Sequence, residues 1–362
     1  MSMRSGPKPL PFQLGMASLA SAGLAGGTAF SETILQDFFI GIKKYQAHPF
    51  KRAMPTLPVV WQEGEVRLFG AQTHPMRDGV PVVLIPSMVN KSDILDLLPD
   101  RSFLRFLAHQ GLEVYMLDWG NPAQDDGLAD IDAAIAKRLL PAIESLGRPV
   151  QLLGYCMGGL FAVAVAALRP DIVKSCLLLA TPWNFHDEKG ALKARMSLMK
   201  PMATPYMKQY NRLPESWMQA VFATLDPEGS IKKFSSFAAM REGDKREEIF
   251  IAVEDWLNEG LDLPAGIASH CMEDWYEENR TFGGSWTVLD TVIRAGDLRC
   301  VTMVVAAKDD RIVPLDSALA FADQRLKCER LVCATGHVGL IAGKEAIANI
   351  WKPIADWFAV QQ

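Results

Sequence analysis

The chain has 362 residues, enough for one large α/β domain carrying an insertion or for two smaller domains. Hydrophobic residues make up 49% and charged residues 22%, the balance of a folded globular enzyme and not of a disordered or fibrous chain. A net charge of −5 and the lack of a long Lys/Arg run exclude a phosphate-tracking surface, so nucleic acid is not an expected partner.

The N-terminal stretch 10–30 carries no charge but is rich in Ala, Gly and Ser, too weakly apolar for a membrane span or a secretory core. It is expected to be a mobile or surface-lying arm. Residues 30–51 suit a helix, with Ser31 as N-cap and apolar residues recurring at Ile34, Leu35, Phe38, Phe39 and Ile42. Two short apolar runs broken by Gly and Pro, WQEGEVRLFGA and PVVLIPS, read as strands.

From Pro81 onward strands and helices alternate. Strands are expected at 82–85, 113–117, 150–154 and 175–180, with helices at 101–110, 131–146 and 158–168 between them. These strands are near-continuous hydrophobic runs, as in a parallel sheet covered by helices on both faces. The alternation stops from about 184 to 290, where the chain looks helical and rich in Met, Trp and Pro. It resumes with strand 301–307, helix 317–325, strand 329–335 and helix 344–358. The expected domains are an N-terminal arm and helix (1–55), a first part of an α/β core (56–183), a cap insertion (184–290) and the second part of the core (291–362).

Six cysteines, Cys156, Cys176, Cys271, Cys300, Cys328 and Cys333, form no C-x-x-C pair and have no His at zinc-ligand spacing, so neither a metal nor a bound cofactor is expected. Their scatter along an acidic chain also argues against a disulfide framework and for a reduced, cytoplasmic setting. One of them stands in the sharpest local signal of the sequence. QLLGYCMGGLFAVAVAAL is a strand, then Gly154-Tyr155-Cys156-Met157-Gly158, then a helix. This is a nucleophile elbow with Cys in place of Ser, and the following helix points its N-terminus at the sulfur, which favours a thiolate.

In such a fold the acid and the histidine follow the nucleophile in that order, on loops after later strands. Here KDDRIVP follows strand 301–307 and TGHVG follows strand 329–335. Asp310, placed before Arg-Ile-Val-Pro, is the expected acid, with Asp309 a solvated or capping carboxylate, and His337 is the expected base. Met157 is the expected first oxyanion donor through its backbone N–H. The second is expected from PSMVNK after strand 82–85, at Met88 or Val89. His48, His74, His109, His186 and His270 lack such a setting and are expected to be structural or solvated. Together these features predict an α/β-hydrolase fold, a mostly parallel doubly wound sheet, with a helical cap insertion and a Cys156–His337–Asp310 triad. A thiol attacking a thioester gives another thioester, which favours acyl transfer over hydrolysis.

The same residues resemble the polyhydroxyalkanoate synthases, particularly the short catalytic subunit of the two-subunit (class III) type. The matching pieces are GYCMGG, VNKSDILDLLPDRSFLRFLAHQGLEVYMLDWGNP (89–122), ATPWNF (180–185), VEDW (253–256), Asp310-Arg311-Ile312-Val313-Pro314 and GHVG (336–339). Arg311 stands where many members carry His, and PSMVNK departs from the usual start of its loop. The resemblance implies condensation of 3-hydroxyacyl-CoA into polyester with release of CoA. In that scheme Cys156 carries the chain, His337 activates thiol and hydroxyl, and Asp310 assists. It also implies a homodimer through the cap, a second synthase subunit and a place at polyester granules. Trp183, Trp217, Trp256, Trp275 and Trp286, with Met196, Met199, Met202 and Met207, offer either an adaptable apolar surface for polyester or ordinary cap core. Two other readings stand beside this one. The first is a Cys-dependent hydrolase (polyester depolymerase, thioesterase or dienelactone-hydrolase-like). The second is a non-catalytic granule protein retaining the fold.

Overall fold

A computed structural model describes residues 3–21, 30–71, 79–186 and 191–361. Eight strands build the main sheet: β1 (Val59–Glu63), β2 (Val66–Gly70), β3 (Val82–Ile85), β4 (Val114–Asp118), β5 (Val150–Tyr155), β6 (Val173–Leu179), β7 (Val301–Ala307) and β8 (Glu329–Cys333). Their spatial order is β1-β2-β4-β3-β5-β6-β7-β8. Strands β3 to β8 pair in parallel, and β2 pairs antiparallel with both β1 and β4. Every residue of β3 and β5 is buried, which is why these strands read as unbroken apolar runs without alternation. Gln151 in strand β5 is satisfied by Ser175 on β6 at 2.8 Å.

The predicted strands fall within a residue or two of the observed ones, as do the helices at Phe103–His109, Met157–Leu168 and Leu315–Asp323. By chain contacts, however, the molecule divides into Met1–Met54 with Glu215–Gly260, and Pro55–Pro214 with Leu261–Gln362. The stretch 184–290, expected as one insertion, is thus shared between the two units, and the N-terminal segment belongs with its middle.

The reason is a set of partners invisible in either stretch alone. In the first unit, helix Glu32–Ala47 starts at the expected cap, with Ile34 N–H donating to Ser31 Oγ at 3.3 Å. It buries Phe38, Ile42 and Tyr45 against Ile231, Phe234, Phe237 and Ile251. The stretch 3–21 is no loose arm, because its charged and polar groups have fixed partners. Arg4 forms a two-pronged pair with Asp255 at 2.6 and 3.0 Å and also donates to the carbonyls of His48 and Phe50. Tyr45 Oη donates to Asp255 at 2.8 Å, and Lys8 N–H donates to Asn258 at 2.6 Å. Helix Leu10–Ser21 follows, with Gln13 and Ala17 buried. The VEDW motif thereby acquires a structural role: Glu254 pairs with Lys233 at 2.7 Å, Asp255 holds Arg4, and Trp256 is buried. Among the described residues no helix is long and apolar enough to cross a membrane.

Trp183, Trp217, Trp256, Trp275 and Trp286 are all buried, as is Trp119 of the core. Trp183, Trp275 and Trp286 meet edge to face, and Phe185 stacks on Trp275. They form core, not an adaptable surface. Of the methionines, Met196 and Met207 are buried and Met202 is exposed.

Candidate active site

Strand β5 delivers Cys156 into a turn with φ 54° and ψ −125°, a conformation that side-chain-bearing residues seldom adopt. The turn is closed by Cys156 N–H donating to Leu179 O at 2.8 Å and Gly159 N–H donating to Cys156 O at 3.0 Å. Two glycines make it feasible by close approach. A Cβ on Gly158 would stand 2.0 Å from the Ile85 carbonyl, and one on Gly154 would stand 2.2 Å from Gly159 Cα. The half-buried Cys156 therefore caps the 12-residue helix Met157–Leu168 at the carboxyl edge of the sheet.

Two further loops at the same edge bring the partners. They are tied together by Lys308 N–H to Cys333 O at 2.8 Å and Asp309 N–H to Thr335 O at 3.0 Å. Asp309 is left exposed while Asp310 is buried, so the expected choice between the adjacent acids has a physical cause. One oxygen of Asp310 accepts from the N–H groups of Ile312 and Val313, both at 2.8 Å. The other lies 2.6 Å from Nδ1 of the buried His337. With Nδ1 so engaged, it is the other ring nitrogen that can serve the Cys156 sulfur, whose charge acts on this imidazole. Burial works against a charge on this imidazole. The Asp310 carboxylate and the Cys156 sulfur outweigh it and raise the pKa to about 10. An acid held by two backbone amides, an imidazole fixed by that acid and a sulfur against the imidazole can hold a thiolate and pass a proton.

The expected oxyanion donors follow neighbouring strands, β5 and β3. Met157 opens the helix after Cys156, and buried Met88 and half-buried Val89 follow β3, whose Ile85 pairs with Gly154. Val89 N–H is directed to Ser87 Oγ at 3.3 Å.

Burial pushes the thiols of Cys176, Cys271, Cys300, Cys328 and Cys333 all upward, Cys333 to about 11. Two of the remaining histidines also face carboxylates. His48 lies 3.5 Å from Glu247 within the helical unit. His270 lies 2.9 Å from Asp274, and its other nitrogen accepts from Trp286 Nε1 at 2.8 Å. Burial lowers the pKa of His270, which suits a neutral packing residue. His186 is held by the Tyr276 carbonyl, His109 is exposed at a helix end, and His74 lies outside the described residues. The residue absent from the sequence reading is Tyr155, whose ring lies 5.3 Å from that of His337. Its place inside the elbow motif was visible, but its neighbour 182 positions later was not.

A family model described as "alpha/beta hydrolase fold" matches residues 80–343. The chain belongs to that family. Curated relatives include "Poly(3-hydroxyalkanoate) polymerase subunit PhaC" of Haloferax mediterranei, 28% identical over 83% of this chain. The chain spans only 63% of that relative's length. The protein of the same name from Synechocystis sp. is 24% identical, with 84% of each chain covered. Among solved structures, an "Alpha/beta hydrolase fold protein from Nakamurella multipartita" superposes with a TM-score of 0.53 over 85% of this chain and 100% of that one, at 18% identity. That likeness speaks for the fold of the family alone.

Proposed function

We propose that this chain is a polyhydroxyalkanoate synthase, an acyltransferase that polymerises 3-hydroxyacyl-CoA through a thioester on Cys156. The observation that carries the reading is the elbow cysteine against the His337–Asp310 pair, in a chain whose relatives over most of its length bear the polymerase name. The Cys156 thiolate attacks the acyl carbonyl, the carbon–sulfur bond to CoA breaks, and His337 gives its proton to the departing CoA sulfur. In the next half, His337 takes the proton of a 3-hydroxyl group, whose oxygen attacks the Cys156 thioester. A carbon–oxygen bond forms and the thiolate is restored. Asp310 acts through the imidazole, since one of its oxygens faces His337 and the other is held by backbone amides. Met157 N–H is the first oxyanion donor. Met88 is the better second donor, because Val89 N–H turns toward Ser87. No cofactor takes part in this scheme. A second subunit, a dimer contact through the insertion and a cytoplasmic place at polyester granules belong to the same reading.

The test is purified protein with 3-hydroxybutyryl-CoA, wild type beside Cys156→Ala, following CoA release and the fate of the acyl group. Polymer from wild type and none from the variant is expected. CoA release with only free 3-hydroxy acid would replace the synthase reading with a thioesterase.

A further inference from the structure

Directly beside the three residues assigned above lies a polar atom that their chemistry does not use. Tyr155 is the last residue of β5, is 2% exposed, and its hydroxyl is buried with no hydrogen-bond partner among the described residues. A phenylalanine would fill the same space without burying an unpaired hydroxyl. What Tyr155 does touch is the base. Its ring centroid lies 5.3 Å from that of His337, with the planes tilted by 35°. This is within the range of offset aromatic packing.

We propose that Tyr155 is a positioning residue whose aromatic ring, and not its hydroxyl, acts on the reaction: it backs the charged imidazole of His337 and keeps it facing both Asp310 and Cys156. The proposal rests on the Cys–His–Asp reading given above. The physical case is one of coverage. The buried imidazole has Asp310 at Nδ1, and whenever it takes up a proton its face benefits from a neighbour that favours positive charge. An aromatic face carries negative potential and supplies that favour without competing for a proton. The phenol itself is no rival base. Burial, and after it the charges of Cys156 and Asp310, push it well above its ordinary value, so it stays neutral. The ring's bulk also leaves the imidazole less room to turn away from the sulfur.

The experiment follows His337 directly by NMR in the full-length chain with 13C-labelled histidine, assigned by loss of the signal in His337→Gln. Wild type, Tyr155→Phe, Tyr155→Leu and Asp310→Asn are titrated from the ordinary imidazole range to beyond about 10. Removing a group that stabilises the charged form must lower the titration midpoint. Tyr155→Phe is expected to titrate with wild type. Tyr155→Leu should fall by about one pH unit, and Asp310→Asn should fall further. A Tyr155→Leu midpoint equal to wild type overturns the proposal, and so does a fall in Tyr155→Phe, which would give the role to the hydroxyl. If Tyr155→Leu does not fold, Tyr155→Met takes its place, and the Phe variant alone still decides between ring and hydroxyl. The underlying triad fails in a different way: no histidine in wild type then titrates above the ordinary range, and Asp310→Asn moves nothing.

Discussion

Around Cys156 the backbone is held by contacts so close that positions 154 and 158 have no room for a side chain; the helical unit of 3–54 and 215–260 has such an approach too, at Gly41, where a Cβ would stand 2.0 Å from the Phe234 carbonyl, but adds charged pairs to it. The two regions should therefore fail in different ways. The elbow is intolerant of added volume. The helical unit depends in addition on Arg4–Asp255, Lys44–Glu247 and Lys233–Glu254.

The largest expected effect comes from Gly158→Val. Its Cβ would enter the Ile85 carbonyl, costing about 3 kcal/mol or more and removing the selective alkylation of Cys156 over the other thiols. A denaturant melt and a labelling rate like those of wild type would show that the close approach is not real. Arg4→Met should cost about 2 kcal/mol, since Asp255 loses a two-pronged, partly buried partner. Hydrogen exchange should quicken across 3–21 and at Tyr45, while Cys156 labelling stays within about twofold of wild type. If Cys156 labelling collapsed instead, the contrast between the two regions would be lost. Ser31→Ala should cost about 1 kcal/mol or less, by removing the cap from Ile34 N–H. Faster amide exchange confined to the first turn of Glu32–Ala47 would confirm it, and unchanged exchange there would mean the cap contributes nothing.

That same contrast explains which parts could be read from residues alone. The elbow was legible because a steric demand is met by one residue type: Gly at 154 and 158 is the trace of a backbone passing within 2.0–2.2 Å. The meeting of His337 with Asp310 was legible because strand ends place loops in a fixed order, and DD before RIVP left only two acids to weigh. Arg4 and Asp255 were not, since neither residue type announces a partner 251 positions away. The apolar stretch 10–21 was equally mute. It looks like an arm until helix Pro227–Ala238 and its neighbours give it something to cover. Tyr155 fell between these cases: its position in the motif was plain, but which ring it meets is decided by the loop after β8.

The clasp between Arg4 and Asp255 also has a consequence in time. A ribosome delivers Asp255 251 residues after Arg4, so at 5–20 residues per second the segment around Arg4 waits roughly 10–50 s for its counter-charge. Throughout that interval helices Leu10–Ser21 and Glu32–Ala47 lack the partners that bury Phe38 and Tyr45. Strands β1 to β6 are all synthesised during the wait. Biogenesis here thus runs inside out: a segment made before strands β1 to β6 is settled only after them, and its apolar surface is one a nascent-chain chaperone would meet.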